Sequence, residues 1–149
     1  RRKCSNASMT INGLGERSGN TSTEETLMAL KLLYGQDLGV DLIKLVEISK
    51  LVEERSNTPL QNHKPVVGKH AFSHKSGMAV TGLLEEPFVA EAYAPELVGS
   101  KREILIGKKS GAKSIEAKLA LMNITLSEAD VLALLNDVRN KCLRRRVLK

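Results

Sequence analysis

All four prolines and all three histidines of this 149-residue chain lie between residues 56 and 110. Proline lacks a backbone N–H and breaks helices, and the regular spacing of apolar residues is lost over the same stretch. Its segments PVVGKHAF and EILIG are nevertheless too apolar to stay in contact with water. We therefore expect the middle of the chain to form loops and short elements, with helical regions before and after it.

The segment NTSTEETLMALKLLYG predicts the first helix. Thr21 with Glu24, or Ser22 with Glu25, has the spacing of a capping box, in which each side chain hydrogen-bonds the other residue's backbone N–H. Gly35 is a typical residue to end this helix, because glycine readily adopts the left-handed conformation that follows a last turn.

Three further helices are predicted from the spacing of apolar residues. Their segments are GVDLIKLVEISKLVEERSN, SGAKSIEAKLALMN and TLSEADVLALLNDVRNKCLRRR. The last has two alternative capping boxes, Thr125 with Glu128 or Ser127 with Asp130. Its predicted apolar face consists of Val131, Leu134, Leu135 and Val138. Aromatic residues are only 3% of the chain against 42% apolar residues in all, so the core must be largely aliphatic, which also favours helices.

The net charge of +6 would suit an anionic partner, and KCLRRRVLK concentrates positive charge at the end of the last predicted helix. That position also complements the negative end of a helix dipole, so a solvated basic helix end is the simpler interpretation. Modules that stack nucleic-acid bases need exposed aromatic rings, which are scarce here. We expect no nucleic-acid partner, and no membrane partner because no apolar run approaches about 20 residues.

Cys4 and Cys142 stand alone and far apart, with no CxxC pair. This argues against a zinc ribbon or a CxxC redox motif and fits a reducing cytoplasm, where we expect the protein to be located. The beginning of the chain does not resemble a signal peptide. It does not start with Met, and we expect it to be a piece of a longer protein.

The segment NGLGERSGN, residues 12 to 20, holds three glycines between a predicted short strand at residues 8 to 12 and the first helix. Glycine allows a sharp turn there, and the amides at a helix N-terminus favour anionic or polar ligands. The side-chain oxygen of Asn20 can bind a hard cation, and Glu16 and Arg17 could pair or orient neighbours. The spacing matches neither GxGxxG nor a P-loop, so a functional loop and an ordinary capped turn both stay open.

Histidine and tyrosine residues in the middle of the chain are further candidates. His70 and His74 are four residues apart, a spacing that suits zinc on a helix, but glycines flank them and we expect no acidic partner nearby. A single polar or catalytic role for His74 is the better interpretation, and His63 is expected in a surface loop. Tyr93 precedes a proline turn and suits packing more than catalysis. The segment IGKKSGAKS could bind phosphate, although a surface helix cap is the simpler interpretation.

Four segments occur together and in order: TINGLGERSGNTSTEE, PVVGKHAFSHKSG, YAPELVG and ILIGKKSGAKSIEAKL. With them the chain resembles the carboxy-terminal part of the isopropylmalate, homocitrate and citramalate synthases, a family of metal-dependent TIM-barrel condensing enzymes. The resemblance implies that residues 1–36 are the terminal β/α unit of a truncated (β/α)8 barrel. Residues 37–149 would be a helical communication region that packs on a partner subunit, so we expect a homodimer. The fold would be mainly α with short strands.

The resemblance also implies a reaction. In this family acetyl-CoA is condensed with a 2-oxo acid: a divalent metal (zinc, magnesium or manganese) polarises the keto group, a base forms the enolate, and hydrolysis releases CoA. By position, Asn20 would be a metal ligand and Glu16 an acidic residue near the substrate. His74 and Tyr93 would be catalytic residues donated across the dimer.

The chain departs from the family pattern at three places. The family's HxH metal motif and its first-strand acidic ligand are absent, so Asn20 alone cannot hold a metal. A family histidine falls on Ala79, which cannot move protons, and another falls on Lys109. We therefore expect this chain to be inactive alone and the full-length protein to be the enzyme. The alternative is a non-catalytic assembly domain that kept the scaffold.

Overall fold

The computed structural model describes residues 6–75, 80–83, 86–108 and 110–147, with side chains described as far as residue 143. Cys4, Ala79 and Lys109 lie outside these residues. The chain forms two compact units. Unit 1 consists of Arg1–Ala71 with Pro95–Lys101, and unit 2 of Phe72–Ala94 with Arg102–Lys149.

The described residues are mainly helical, with one small sheet, as predicted. The helices are α1 (Thr23–Tyr34), α2 (Leu45–Ser56), α3 (Ala112–Leu121) and α4 (Glu128–Val147), the strands are β1 (Ser73–His74) and β2 (Glu103–Ile104), and short 3-10 turns are formed by Ile11–Gly13, Leu42–Lys44, Pro87–Val89 and Pro95–Val98. Within the described part of the chain, no helix combines the length and apolar character needed to cross a bilayer.

In unit 1, α1 begins after Ser22 and ends at Gly35, where φ is 62°. The ends of this helix are therefore as predicted, but neither capping box forms. Ser22 is the N-cap residue and makes no side-chain cap hydrogen bond, and Glu24 is buried against the preceding loop instead. The helix buries Leu27 and Met28 as its contribution to the core of this unit.

The strand predicted at residues 8 to 12 is wrong. Only Thr10 pairs in a β-like manner, through an isolated parallel bridge to Ser22. The N–H of Thr10 donates to the carbonyl of Thr21 at 3.0 Å, and the chain then enters the 3-10 turn Ile11–Gly13. The reason is conformational: Asn12 and the next residue have φ of 61° and 70°, which turns the backbone out of an extended path.

The second predicted helix forms as α2, preceded by the 3-10 turn Leu42–Lys44. Asp41 caps that turn, since its Oδ1 accepts the N–H of Ile43 at 3.1 Å. Asn57, with φ of 51°, ends α2 in the left-handed conformation. α2 buries Leu45 and Ser49 and packs against Ile11–Gly13, which places it beside the start of the glycine-rich loop.

In unit 2, β1 and β2 are parallel, with Ser73 opposite Glu103 and His74 opposite Ile104. Two backbone hydrogen bonds extend the pairing beyond the strands, from Glu103 N–H to Phe72 at 3.0 Å and from Leu105 N–H to His74 at 2.8 Å. The sheet is short, but it fixes the backbone of His74 against Ile104 of β2.

The core of unit 2 lies between β2, α3 and α4. Its buried apolar residues form two clusters that Ile106 joins: Val80, Ile104 and Ala117 in one, and Ile115, Val131 and Leu135 in the other. At the start of α4 only half of the second predicted capping box forms. Asp130 N–H donates to Ser127 Oγ at 3.3 Å. Ser127 Oγ itself donates to Asp130 Oδ2 at 2.6 Å, so the Asp130 carboxylate bonds the hydroxyl of Ser127 and not its backbone N–H.

Candidate functional site

The glycine-rich loop, residues 12–20, is closed by its own backbone. Asn20 N–H donates to the carbonyl of Gly13 and Gly19 N–H to that of Glu16, both at 2.9 Å. Gly13 and Gly19 have φ of 70° and 91°, conformations that favour glycine. A Cβ on Gly19 would also overlap the carbonyl of Gly13. These glycines are therefore required for the shape of the loop.

The side chain of Asn20 folds back over this loop. Its Nδ2 donates to the carbonyl oxygen of Leu14 at 3.1 Å. Gly15 lies under the amide: a Cβ there would be 2.5 Å from Nδ2 and 2.7 Å from Cγ of Asn20. Because the amide nitrogen is used inside the loop, Oδ1 is the atom through which Asn20 would bind a cation.

Glu16 and Arg17 project from the same loop and are exposed. Arg17 has φ of 55°, so part of the turn is made by a non-glycine residue in the left-handed conformation. Among the described residues no ion pair joins these two side chains, so the structure does not form the pairing that the sequence left open. Glu16 shares the loop with Asn20, as the sequence requires.

The start of the loop is held by residues that the sequence did not indicate. The backbone N–H of Asn12 donates to both carboxylate oxygens of Glu24, at 3.0 and 3.2 Å. Its side-chain Nδ2 donates to the carbonyl of Ser49 at 2.9 Å, and Ser49 Oγ donates to Asn12 Oδ1. Glu24 and Ser49 are each 1% exposed. We call these three residues the Asn12 cluster.

The loop fits one ligand of a divalent metal but not a whole site. Asn20 offers one amide oxygen, and such oxygens bind hard cations as members of a larger set. Within the described ranges, no three His, Cys, Asp or Glu residues are grouped so as to hold a metal ion. The described residues therefore do not form a metal site by themselves.

In unit 2, three charged or ionisable side chains, those of His74, Glu91 and Arg102, form a hydrogen-bonded row. His74 Nε2 is 2.9 Å from Glu91 Oε1. Arg102 Nε donates to the two oxygens of Glu91 at 3.0 and 3.1 Å, and its NH2 group donates to Oε2 at 2.5 Å. The Glu91 side chain is 3% exposed and that of His74 12%. A buried carboxylate is thus held between a guanidinium and an imidazole, a strong arrangement for an ionised acid.

The charge of Glu91 determines which nitrogen of His74 carries a proton. Burial by itself raises the pKa of Glu91, but the hydrogen bonds and charges of Arg102 and His74 outweigh it, so the pKa lies below its ordinary value. Glu91 is therefore an anion near neutral pH. An anion accepts hydrogen bonds only, so Nε2 carries the proton that faces it and Nδ1 of the neutral ring holds a lone pair.

Tyr93 lies two residues beyond Glu91 and is half-buried. Its ring packs edge-on against Phe72, with centroids 5.4 Å apart and planes at 80°. Burial raises the pKa of the phenol. At neutral pH the hydroxyl of Tyr93 therefore keeps its proton and is able to donate a hydrogen bond.

The expectation that His74 has no acidic partner is wrong, because the partner comes from a distant part of the chain. Glu91 is 17 residues away, and Arg102 immediately precedes β2. Both residues lie close to segments that carry the family resemblance, YAPELVG and ILIGKKSGAKSIEAKL. That closeness was the only signal in the sequence that could have indicated Glu91 and Arg102. The zinc pair with His70 finds no support, since His74 is in extended backbone where helical spacing does not apply. His70 instead contacts the ring of His63, at 5.2 Å between centroids.

The lysine-rich turn IGKKSGAKS forms a closed turn in its described residues. Ser110 is fully buried, its Oγ accepts the N–H of Gly107 at 3.0 Å and it donates to the carbonyl of Lys75 at 3.4 Å. The hydroxyl is therefore used to close the turn before α3. Of the two interpretations of this segment, a structural helix cap and a phosphate site, this use of the hydroxyl supports the helix cap.

The chain is similar to several enzymes of known name. It is 40% identical over 132 residues to homocitrate synthase AksA of Methanothermobacter thermautotrophicus, covering 89% of this chain and 34% of that protein. It is 42% identical over 136 residues to 2-isopropylmalate synthase 2 of Caldanaerobacter subterraneus subsp. tengcongensis (91% and 35%). It is 36% identical over 161 residues to (R)-citramalate synthase CimA of Methanocaldococcus jannaschii (93% and 33%). The chain thus spans about a third of the length of these relatives.

Two family models match successive parts of the chain. The HMGL-like model matches residues 3–52, which include the glycine-rich loop, and the model described as homocitrate synthase post-HMGL domain-like matches residues 66–146, which include His74, Glu91 and Arg102. The predicted resemblance to the carboxy-terminal part of the homocitrate, citramalate and isopropylmalate synthases is confirmed. The chain belongs to the homocitrate synthase post-HMGL domain-like family.

Proposed function

We propose that this chain is part of a transferase that condenses acetyl-CoA with a 2-oxo acid in a Claisen-type reaction. The names of its relatives support this reaction class, since homocitrate, citramalate and isopropylmalate synthases all match the same region. Within the chain, the observation that supports a chemical role is the hydrogen bond between Nε2 of His74 and the buried carboxylate of Glu91, whose pKa is lowered. This pair is the arrangement that an imidazole needs to transfer protons at neutral pH.

His74 is proposed to move a proton through Nδ1. With Nε2–H held by Glu91, the ring has one orientation and one tautomer, and the carboxylate stabilises the imidazolium that forms when Nδ1 accepts a proton. Arg102 keeps Glu91 ionised and is a positioning residue. The proton in question is that of the acetyl methyl group or of the water that hydrolyses the CoA thioester after carbon–carbon bond formation.

Tyr93 is proposed as the hydrogen-bond donor of the site. Its pKa is raised by burial, so its hydroxyl remains protonated at neutral pH. A phenol in that state can donate to an oxygen on which negative charge develops, as the enolate or the alkoxide forms. The role is distinct from that of His74, because the phenol donates where the imidazole accepts.

Asn20 is proposed to supply one oxygen ligand to a divalent ion, zinc, magnesium or manganese, in the full-length protein. When bound, such an ion polarises the keto group of the 2-oxo acid. The other ligands would come from outside the described residues. Glu16, on the same loop, is proposed to face the substrate, and the closed loop keeps the two side chains at a fixed spacing.

The position of the chain in the whole enzyme is also a proposal. Residues 1–36 would be the terminal β/α unit of a (β/α)8 barrel, and residues 37–149 the communication region of a homodimer. On this proposal the chain carries part of the catalytic residues and is inactive alone. A cytoplasmic location stays a prediction.

The test is an assay of the full-length protein with acetyl-CoA and a panel of 2-oxo acids, following free thiol. We expect thiol release with at least one of pyruvate, 2-oxoisovalerate, 2-oxoglutarate and oxaloacetate, and a fall of roughly 100-fold in kcat for His74→Gln, within the usual range for a general acid–base. No release with any of the four would overturn the proposed reaction. A dimer without release would instead support the non-catalytic assembly domain, which Ala79 favours.

A further inference from the structure

The first residue of the glycine-rich loop is held in a conformation that few non-glycine residues adopt. Asn12 has φ of 61° and ψ of 6°, in the left-handed region. Such a residue persists when its surroundings fix it more firmly than its own preference requires. At Asn12 the surroundings are the backbone hydrogen bond to Glu24 and the two side-chain hydrogen bonds to Ser49.

Burial makes Glu24 an unusual choice for a helix terminus. A carboxylate in the first turn of α1 stabilises the helix by its charge, and it does not need to be buried to do so. Glu25, the neighbouring carboxylate in the same turn, is 41% exposed and pairs with Lys64 at 2.6 Å. Glu24 is buried at 1%, where a carboxylate is costly unless it is paired. Helix capping does not explain this burial.

The partners of Glu24 show what its burial achieves. Both of its oxygens accept the N–H of Asn12, and Lys64 Nζ lies 3.8 Å away. Without this acceptor, the part-buried N–H of Asn12 would favour rotation of the turn toward another partner. Asn12 is followed by the glycine at residue 13, whose carbonyl in turn accepts the N–H of Asn20. The position of Asn20 therefore depends on Glu24 through two successive residues, Asn12 and Gly13, and through the hydrogen bonds at either end of that pair.

Ser49 holds the same residue from the side of α2. Its carbonyl accepts Asn12 Nδ2 and its hydroxyl donates to Asn12 Oδ1, so the amide of Asn12 is used on both atoms. An amide bonded in this way cannot rotate without losing both bonds. The loop is therefore fixed to α1 by Glu24 and to α2 by Ser49.

We propose that Glu24 is a positioning residue of the catalytic loop: through Asn12, and together with Ser49, it sets where Asn20 and Glu16 are presented. The functional consequence rests on the proposed function, because it requires the loop to face a substrate. The positional consequence concerns this chain alone and is measured separately.

The test uses hydrogen exchange of the full-length protein, followed in peptides that cover residues 11–21. In Glu24→Gln the carboxamide keeps the size of the side chain but loses the charge that attracts Lys64 and the Asn12 N–H. We expect the amides of Gly19 and Asn20 to exchange roughly 10-fold faster or more, since the charged acceptor of the Asn12 N–H is replaced by a neutral one. Amides of α4 should keep their wild-type rates.

Glu25→Gln is the matched control. It removes the neighbouring carboxylate from the same helical turn and the same lysine, but it has no contact with Asn12. We expect loop exchange at the wild-type rate in this variant. Equal acceleration in Glu24→Gln and Glu25→Gln would show that the charge of the helix terminus matters and the contact to Asn12 does not, which would overturn the proposal.

Ser49→Ala provides a second, independent variant in case Glu24→Gln does not fold. It removes one of the two bonds to the amide of Asn12 and should also accelerate loop exchange, while α4 remains unchanged. If both folded variants leave loop exchange at the wild-type rate, or accelerate the loop and α4 alike, Glu24 and Ser49 contribute to stability only and the proposal is wrong.

Kinetics separate this inference from the proposed function. If the wild-type protein releases thiol, we expect Glu24→Gln to lower kcat by roughly 10-fold or more, because small displacements of catalytic groups slow the reaction strongly. The KM for acetyl-CoA should change less. Wild-type kinetics in a variant with a loosened loop would overturn the catalytic part of the proposal. A wild-type protein without turnover would overturn the proposed function, and the exchange measurement would still decide the positioning role.

Discussion

The amide of Asn20 occupies the space that a side chain at residue 15 would need. Gly15 is not required for its φ, which lies outside the positive range, but for the contact: a Cβ would be 2.5 Å from Nδ2 and 3.0 Å from Oδ1. Both atoms belong to the side chain proposed to bind a metal. The absence of a Cβ at Gly15 therefore allows the amide of Asn20, the proposed metal ligand, to take the position that it has.

Gly15→Ala should consequently act on Asn20 and hardly on folding. The new methyl group must push the amide away from Leu14, and we expect a loss of roughly 10-fold or more in kcat of the full-length protein from misplacement of one ligand. Gly111→Ala is the matched control, since a Cβ at that glycine has nothing within 4 Å. Steady-state thiol release measures both variants. Equal rates for Gly15→Ala and wild type would show that the position of the Asn20 amide is irrelevant.

The site residues also show where prediction from the sequence ends at this scale. His74 and Tyr93 could be selected because their motifs resemble those of a known family. Glu91 and Arg102 could not be assigned to His74, because a hydrogen bond between residues 17 positions apart depends on tertiary packing and leaves no local pattern. Glu24 shows the opposite error: its spacing to Thr21 is that of a capping box, yet the buried contact to Asn12 prevails.

At the scale of elements, helices were predictable and the strand was not. The ends of α1 follow from local signals, a polar residue before the first turn and Gly35 after the last. A strand depends on a partner, and the only partner that Thr10 finds among the described residues is Ser22, next to α1. A single bridge with positive φ two residues later cannot continue as a strand, although the alternation at residues 8 to 12 suggested one.

Neighbouring leucines of α4 give a sharp test of which helical face is buried. The sequence placed Leu134 and Leu135 on one apolar face, but Leu135 is 5% exposed and packs with Ile115 and Val131, whereas Leu134 is 37% exposed. We expect Leu135→Ala to lower the free energy of unfolding by about 2–5 kcal/mol, since it leaves a cavity. Leu134→Ala, the matched control, should cost less than about 1 kcal/mol. Urea unfolding of the full-length protein measures both, and equal losses would contradict the described packing of α4.

At the scale of the molecule, the structure divides the polar network into one part per unit. Unit 1 holds the Asn12 cluster, and unit 2 holds the row His74, Glu91 and Arg102. Each network contains one almost fully buried carboxylate, and each carboxylate fixes a residue of the candidate site. In unit 2 the carboxylate that orients His74 also makes the stability of the unit depend on pH, because its pKa is lowered in the folded protein.

Glu91 determines the sign of this dependence in unit 2. Its pKa is lowered in the folded protein, so its contribution to stability is fully present above the ordinary value of 4.5 and is lost as pH falls through the lower, folded value. Near pH 7 the Glu91→Gln variant should be less stable than wild type by about 1.5–3 kcal/mol per charged hydrogen bond lost. On acidification the wild type should lose this advantage, and the two unfolding midpoints should converge below pH 4.5. Urea unfolding followed from pH 7 downward measures the difference. A gap between the two proteins that stays constant with pH would show that Glu91 is not held as an anion, and the tautomer assigned to His74 would then be wrong as well.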